Sequence, residues 1–333
     1  MSTEAQIQNF RQAWEGLRGE IAKVIVGNDE IVEGTLTAIF AGGHVLLEGV
    51  PGLGKTLLVR TLSEVLDLSF NRIQFTPDLM PADILGTNMV METPDGRREF
   101  EFQRGPIFAH IILADEVNRA TPKTQSAMLE AMQEKSVTAG GEMRKLAEPF
   151  FVLATQNPID QEGTYPLPEA QLDRFFFKLL VGYPTAGDLT EIINRTTEGG
   201  KPTIAKVLDG AGLAEMQQLV RQVPVASHVK DYAVRLILAT HPKTATASAV
   251  CNQYLRFGSS PRGAQGLILA GKVRALTHGR FNVGFEDLQA VAPAVLRHRL
   301  ILNFEAEAEG ITTDHIITQV LRDVPKNAEP VSA

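Results

Sequence analysis

Gly49-Val50-Pro51-Gly52-Leu53-Gly54-Lys55-Thr56 sets glycines, a lysine and a hydroxyl at the spacing G-x-x-x-x-G-K-[ST], which is phosphate-binding chemistry. Glycines let backbone N–H groups approach an anion, and a helix starting behind them adds the positive end of its dipole. Lys55 then reaches the β- and γ-phosphates, and Thr56 holds Mg²⁺. A second candidate group is Asp115-Glu116, two acids delivered at the end of the apolar run Ala109-His110-Ile111-Ile112-Leu113-Ala114. The first acid of such a pair can enter the shell of a metal ion, and the second can polarise an attacking water. Asn157 ends another apolar run, Phe150-Phe151-Val152-Leu153-Ala154-Thr155-Gln156, and its amide could hydrogen-bond a terminal phosphate or a water. Alone, acids after a strand are ordinary caps and an asparagine before Pro158 is an ordinary turn residue. The phosphate pattern upstream is what gives both a chemical meaning.

These residues need strands and helices to bring them together. His44-Val45-Leu46-Leu47-Glu48 reads as a short buried strand before the glycine loop, and Leu58, Leu62, Val65 and Leu66 recur at helical spacing after it. Upstream, Ile7, Phe10, Trp14, Leu17, Ile21 and Val24 form the apolar face of one helix, which most simply packs on the core, and Ile31, Val32, Leu36, Ile39 and Phe40 that of a second, with Asn28 placed to cap it. Downstream, a strand is expected over Arg72 to Thr76, then a loop with a short turn from Pro77 to Gly86. A hairpin over 88–102 turns at Pro94-Asp95-Gly96, and a second over 137–146 turns at Gly140-Gly141. Thr121-Pro122 opens a helix to about Glu134, with Thr121 as N-cap. Pro168 opens a helical stretch through Leu172-Asp173-Arg174-Phe175, and Phe176 to Val181 supplies a last core strand. Composition changes near Tyr183-Pro184-Thr185-Ala186-Gly187. The expected division is therefore an α/β domain over 1–184, an all-helical domain over 188–324 without strands, and a disordered tail over 325–333. Helices are expected near Leu189 to Thr196, Leu213 to Gln222, Val229 to Thr240, Arg262 to Leu276, Phe285 to Leu300 and Thr313 to Leu321.

A chain of 333 residues with 44% hydrophobic content can bury a large core. The single cysteine, Cys251, rules out an internal disulfide, fits a reducing cytoplasm and is expected to be a buried small hydrophobe. The seven histidines lack metal-ligand spacing, so no zinc site is expected. No segment has the length of a membrane span. A net charge of −7 argues against a chain that coats nucleic acid.

Five motifs in order carry a resemblance: the Gly49–Thr56 loop, Leu113-Ala114-Asp115-Glu116-Val117-Asn118-Arg119-Ala120, Ala154-Thr155-Gln156-Asn157-Pro158, Leu172-Asp173-Arg174-Phe175 and Ser259-Ser260-Pro261-Arg262. Together they resemble the MoxR family of AAA+ ATPases over nearly the whole chain, and the two hairpins resemble the insertions that mark its branch. The resemblance implies an αβα sandwich with a parallel sheet followed by a small helical lid, in a ring, expected to be hexameric, that hydrolyses ATP with Mg²⁺. It implies that Val26, Gly27 and the loop from Gly49 to Leu57 contact the nucleotide, that Thr56 and Asp115 hold Mg²⁺, and that Glu116 is the base. Asn157 is similar to a sensor-1 residue, Arg174 to an arginine finger acting in trans, and Arg262 to a sensor-2 arginine on the lid. Read from its position alone, Arg174 could equally be a local salt bridge, and Arg119 could line a subunit interface or pair with an acid beneath the sheet.

The implied function is a chaperone-like remodelling or assembly of protein clients, including maturation or metal insertion, beside a partner with a von Willebrand factor A domain. One alternative is a nucleic-acid motor using the hairpins, whose charges are mixed (Arg97 and Arg98 against Glu92, Asp95 and Glu99; Arg144 and Lys145 against Glu142). The other is a nucleotide-gated adaptor with slow turnover, against which Glu116 speaks.

Overall fold

The computed structural model describes residues 2–49, 54–92, 94, 97–157, 164–197, 199–200 and 202–327. Val50 to Leu53 of the glycine loop, Pro158 and the tail from 328 lie outside these described residues. Two helices come first, α1 (Thr3–Ala22) and α2 (Asp29–Ala41). The three-and-four spacing of α1 buries Phe10, Trp14, Leu17 and Ile21, as an amphipathic face must. The expected Asn28 side-chain cap on α2 is not made. Asn28 instead adopts a left-handed backbone, φ 57°, and its carbonyl accepts from the N–H groups of Ile31 and Val32. Asparagine is one of the few residues that tolerate this conformation, so its type serves the turn.

The sheet region alternates strands and helices: β1 (Val45–Glu48), α3 (Lys55–Val65), β2 (Phe70–Gln74) and α4 (Pro81–Leu85). The first hairpin follows, β3 (Gly86–Glu92) with β4 (Arg98–Arg104), then β5 (Ile111–Asp115), a 3₁₀ turn over Val117–Arg119 and α5 (Pro122–Glu134). Next come the second hairpin, β6 (Ser136–Ala139) with β7 (Glu142–Lys145), then β8 (Phe151–Gln156), α6 (Glu169–Leu172) and β9 (Phe177–Leu180). The hairpins extend over 86–104 and 136–145, so their expected edges shift by one or two residues. Thr121 precedes α5 with Pro122 in the first turn, yet makes no side-chain cap bond. Five strands form one parallel sheet in the order β2-β5-β8-β1-β9. Its central strands are buried on both faces, which is why they read as unbroken apolar runs. Leu47, Leu113 and Leu153 face α3, whereas Leu46, Ile112 and Val152 face the side of α5.

The remainder comprises α7 (Ala186–Thr197), α8 (Gly210–Gln222), α9 (Ser227–Ala239), α10 (Ala249–Tyr254), β10 (Leu255–Phe257), α11 (Pro261–Thr277), α12 (Phe285–Leu296), β11 (Ile301–Leu302), α13 (Phe304–Glu309) and α14 (Thr313–Asp323). An entirely helical lid was the expectation, and the antiparallel pair β10–β11 corrects it. Strands of three and two residues are too short to show alternation in sequence. Helix α12 also stops at Leu296 and not at Leu300. There the chain turns to run beside the edge strand: Arg297 donates to the Lys178 carbonyl at 3.2 Å, and Arg299 to that of Phe175 at 2.7 Å. Helix α11 packs on α1, α2, α9 and α12, within a core continuous from the sheet to the lid. Gly266 and Gly271 permit the close approach to α12, since a Cβ there would lie 2.9 Å from Val295 Cγ1 and 2.8 Å from Leu288 Cδ2. Cys251 is buried, as expected, and burial raises its thiol pKa.

His44 joins three elements at the start of β1. Its Nδ1 accepts from Val152 N–H at 3.0 Å and its Nε2 lies 3.1 Å from the Met132 carbonyl, so a neutral ring protonated on Nε2 satisfies both. Burial pushes the pKa down to about 4, the Met132 carbonyl opposing and Lys135 adding to the fall. The unfolded chain, near the ordinary 6.5, therefore takes up the proton first. The stabilisation is complete above about pH 6.5 and is lost as pH falls toward 4, a change on the order of 3 kcal/mol. His44→Gln should flatten the fall in urea-melt stability across this window. His298, also buried and shifted down, will retain part of the slope.

Candidate functional site

The site forms at the carboxyl edge of the sheet, where β1, β8 and β5 end side by side. Gly49 leaves β1 beside β9, and a Cβ there would lie 2.7 Å from the Val181 carbonyl oxygen, so only glycine fits. Gly54, with φ 76°, stands at the start of α3. Lys55 folds back and donates from Nζ to the Gly49 carbonyl at 2.5 Å. Burial lowers its ammonium pKa, and the carboxylates of Asp115, Glu116 and Glu48 oppose that shift. Thr56 and Leu57 are exposed on the first turn of α3.

Asp115 and Glu116 are held by a set of polar partners. Thr155 Oγ1 on β8 donates to Asp115 Oδ1 at 2.6 Å and accepts from the Glu116 N–H at 2.8 Å. Arg72 on β2 donates to Asp115 Oδ2 from Nη2 at 2.7 Å and from Nε at 3.2 Å. Glu116 has a left-handed backbone, φ 57°, which turns its carboxylate out of the strand line. Its Oε2 accepts from Gln74 Nε2 at 3.0 Å and from Arg119 Nη1 at 2.9 Å. Of the two readings open for Arg119, the structure makes the pairing with an acid. Asn157 follows β8, the strand between β5 and β1, and its carbonyl accepts from Asn118 Nδ2 at 3.4 Å. Strand order thus places Lys55, Asp115, Glu116 and Asn157 at the same, carboxyl edge of the sheet.

Beside Lys55 opens an apolar cavity of about 470 Å³, walled by Val24, Val26, Leu47, Leu58, Ile192 and Arg195. Val26 lines it. Gly27 does not, and instead turns at φ 67° against the Asp188 carboxylate. Arg195 donates from Nη1 to the carbonyls of Ala22 and Lys23, at 2.8 and 2.9 Å, where α1 ends. Exposed carbonyls at a helix C-terminus attract a cation, so Arg195 fastens α7 to α1 and closes the cavity.

Arg174 and Arg262 are not brought to this edge. Both belong to the opposite, amino edge of the sheet, because Arg174 precedes β9, which runs parallel to β1. Arg174 Nη1 donates to the Leu129 carbonyl on α5 at 3.0 Å. Arg262 pairs with Asp173 at 3.2 Å, so it does not cover the phosphate loop of its own chain from the lid.

A glycine loop between a parallel strand and a helix, two acids at the end of β5 one strand further along the sheet, and a lid behind them define a nucleotide-binding protein of the AAA+ class. Residues 44–177 match the family described as ATPase family associated with various cellular activities (AAA), and residues 247–320 match the AAA lid domain. Chaperone MoxR1 of Mycobacterium tuberculosis is 45% identical over 306 residues, 92% of this chain and 80% of that protein. Protein MoxR of Methylorubrum extorquens is 30% identical over 343 residues, covering 97% of each. A solved structure from Cytophaga hutchinsonii has a TM-score of 0.91 and 42% identity, covering 97% of this chain and 98% of that one. The chain belongs to the MoxR family of AAA+ ATPases.

Sequence reasoning assigned no role to Thr155, Arg72, Gln74 or Arg195. Thr155 carried a signal, a lone hydroxyl ending an apolar strand beside the acids. Arg72 and Gln74 flank buried Ile73, an alternation that sends both to one face. Nothing in the sequence marks Arg195. Arg195→Ala should free one cavity wall and weaken binding of a fluorescent ATP analogue about tenfold, close to 1.4 kcal/mol. A fluorescence titration giving an unchanged Kd would remove Arg195 from the cavity's closure.

Proposed function

We propose that the protein is a Mg²⁺-dependent ATPase that works as a ring of identical subunits, expected to be hexameric, and remodels or assembles protein clients. The observation that carries this reading is the polarity of the sheet. It gathers Lys55, Asp115, Glu116 and Asn157 at one edge and leaves Arg174 and Arg262 at the other, where they suit the site of a neighbouring copy. On this reading the domains divide at 1–184 and 188–324.

The roles follow from chemistry. Gly49 to Leu57 cradles the phosphates, Lys55 binds the β- and γ-oxygens, and the cavity beside Val26 takes the base. Thr56 and Asp115 would hold Mg²⁺, a hard cation suited to their oxygen donors. The bound ion neutralises phosphate charge. Glu116 takes a proton from the attacking water, and Asn157 orients that water or the γ-phosphate. Arg119 and Gln74 compete for Glu116 before nucleotide binds, so the base must be released to act. Arg174 of a neighbouring copy offers its guanidinium to the γ-phosphate, which in P-loop enzymes is worth on the order of 10³ to 10⁵ in rate.

The exposed hairpin side chains Met89, Val90, Met91, Phe100 and Met143 favour a protein client, since flexible apolar surface suits polypeptide better than a phosphate backbone. The relative named a chaperone supports the same choice. Among the described residues no helix is long and apolar enough to cross a membrane. A cytoplasmic location and a partner with a von Willebrand factor A domain complete the proposal.

Glu116→Gln should keep ATP binding and lower turnover by roughly 10² to 10⁴, whereas Lys55→Ala should lose binding. Undiminished phosphate release by Glu116→Gln would remove it as the base. Specific activity of the wild type should rise with protein concentration as copies associate, and Arg174→Ala should abolish that rise without weakening ATP binding.

A further inference from the structure

The carboxylate of Asp173 is the meeting point of the lid and the segment that carries Arg174. Its Oδ1 accepts from Ser260 Oγ at 2.8 Å and from Arg299 Nε at 3.0 Å. Its Oδ2 accepts from Ser260 Oγ at 2.9 Å and from Arg262 Nη1 at 3.2 Å. Ser260 caps α11, its hydroxyl also accepting from the Arg262 N–H at 3.2 Å. Arg299 has a side chain only 3% exposed, and its remaining N–H groups reach the carbonyls of Asp173, Phe175 and Phe176. Thus the backbone on both sides of Arg174 and the first turn of α11 hang on one network anchored by the buried Arg299.

We propose that Asp173 is a positioning residue that sets Arg174 and Arg262 as one pre-aligned pair for the triphosphate held by a neighbouring copy. The proposal rests on the trans reading of Arg174. Two long side chains on separate elements would ordinarily each lose rotamer freedom when they meet an anion. A charge-assisted network that fixes the backbone of one and the helix start of the other removes part of that loss in advance. It also makes the lid and the Arg174 segment a single body, so lid movement carries both arginines toward or away from the neighbouring site together.

Subunits with Glu116→Gln keep their arginines and lack a base, whereas subunits with Arg174→Ala keep the base. Mixing them should restore hydrolysis at Arg174→Ala sites that face a Glu116→Gln donor. Adding Asp173→Asn to the donor should cut the restored rate by about tenfold to a hundredfold, with KM for ATP unchanged because the acceptor pocket is untouched. No restoration by the plain Glu116→Gln donor would overturn the trans reading and the positioning role with it. Equal restoration by the Asp173→Asn donor would overturn the positioning role and leave the trans reading intact. Asp173→Asn strips Arg299 of its carboxylate, so the donor's Tm is measured alongside. If that donor unfolds, Ser260→Gly decides, because glycine is still a tolerated N-cap residue and the change removes only the hydroxyl's bonds to Asp173 and to the Arg262 N–H. A several-fold drop in restoration by the Ser260→Gly donor supports the role, and an unchanged rate overturns it.

Discussion

Parallel strands place every carboxyl end at one edge of a sheet and every amino end at the other, and in this protein that polarity sorts the charged groups. The carboxyl ends of β1, β5 and β8 lead into Lys55, Asp115, Glu116 and Asn157, all on one side of the sheet. The amino end of β9 holds Asp173 and Arg174, with Arg262 brought beside them by the lid. Even the four-residue strand itself spans roughly 10 Å, and rigid strand ladders cannot bend to close the gap. One chain therefore carries two groups of charged residues at opposite edges of one sheet. On the proposed reading, two copies bring them into one site.

At the carboxyl edge the ionised groups already have partners. Asp115 is held by Arg72 and Thr155, Glu116 by Arg119 and Gln74, and Lys55 by the Gly49 carbonyl. Half-buried charges left without such partners would cost more than the bonds themselves contribute. The arrangement also means that a nucleotide is not added to bare charges. It exchanges one set of charge-assisted bonds for another, and only the difference appears as affinity. At the amino edge the same physics is stricter, because Arg299 is almost wholly enclosed and Asp173 is its carboxylate partner. Such a network keeps its geometry, which suits a surface that must meet a partner in one orientation.

Motif spacing picked out residues that strand polarity places at the carboxyl edge. Lys55, Asp115, Glu116 and Asn157 each end or begin a regular element, and strand polarity makes their convergence follow from the order of the elements. Secondary structure was legible where a face repeats: α1 buries Phe10, Trp14, Leu17 and Ile21 of its expected face, and α3 buries Leu58, Leu62 and Val65. It was not legible where tertiary partners decide. Helix α12 ends at Leu296 because the following residues bond the edge strand, and β10–β11 is too short to have a period. Asn28 looked like a cap and is a left-handed turn, since the same residue type serves both.

The sequence by itself determined the nucleotide loop, the acids, the alternation of strand and helix and the family, because each rests on local spacing that survives without a fold. Only the tertiary structure decided what those groups touch. It put Thr155 between the two acids, Arg195 at the end of α1, and Arg262 beside Asp173 in place of its own phosphate loop. Hydrogen bonds between residues 40 to 173 positions apart leave no period in the chain, and an arginine's partner is set by which edge of the sheet it reaches.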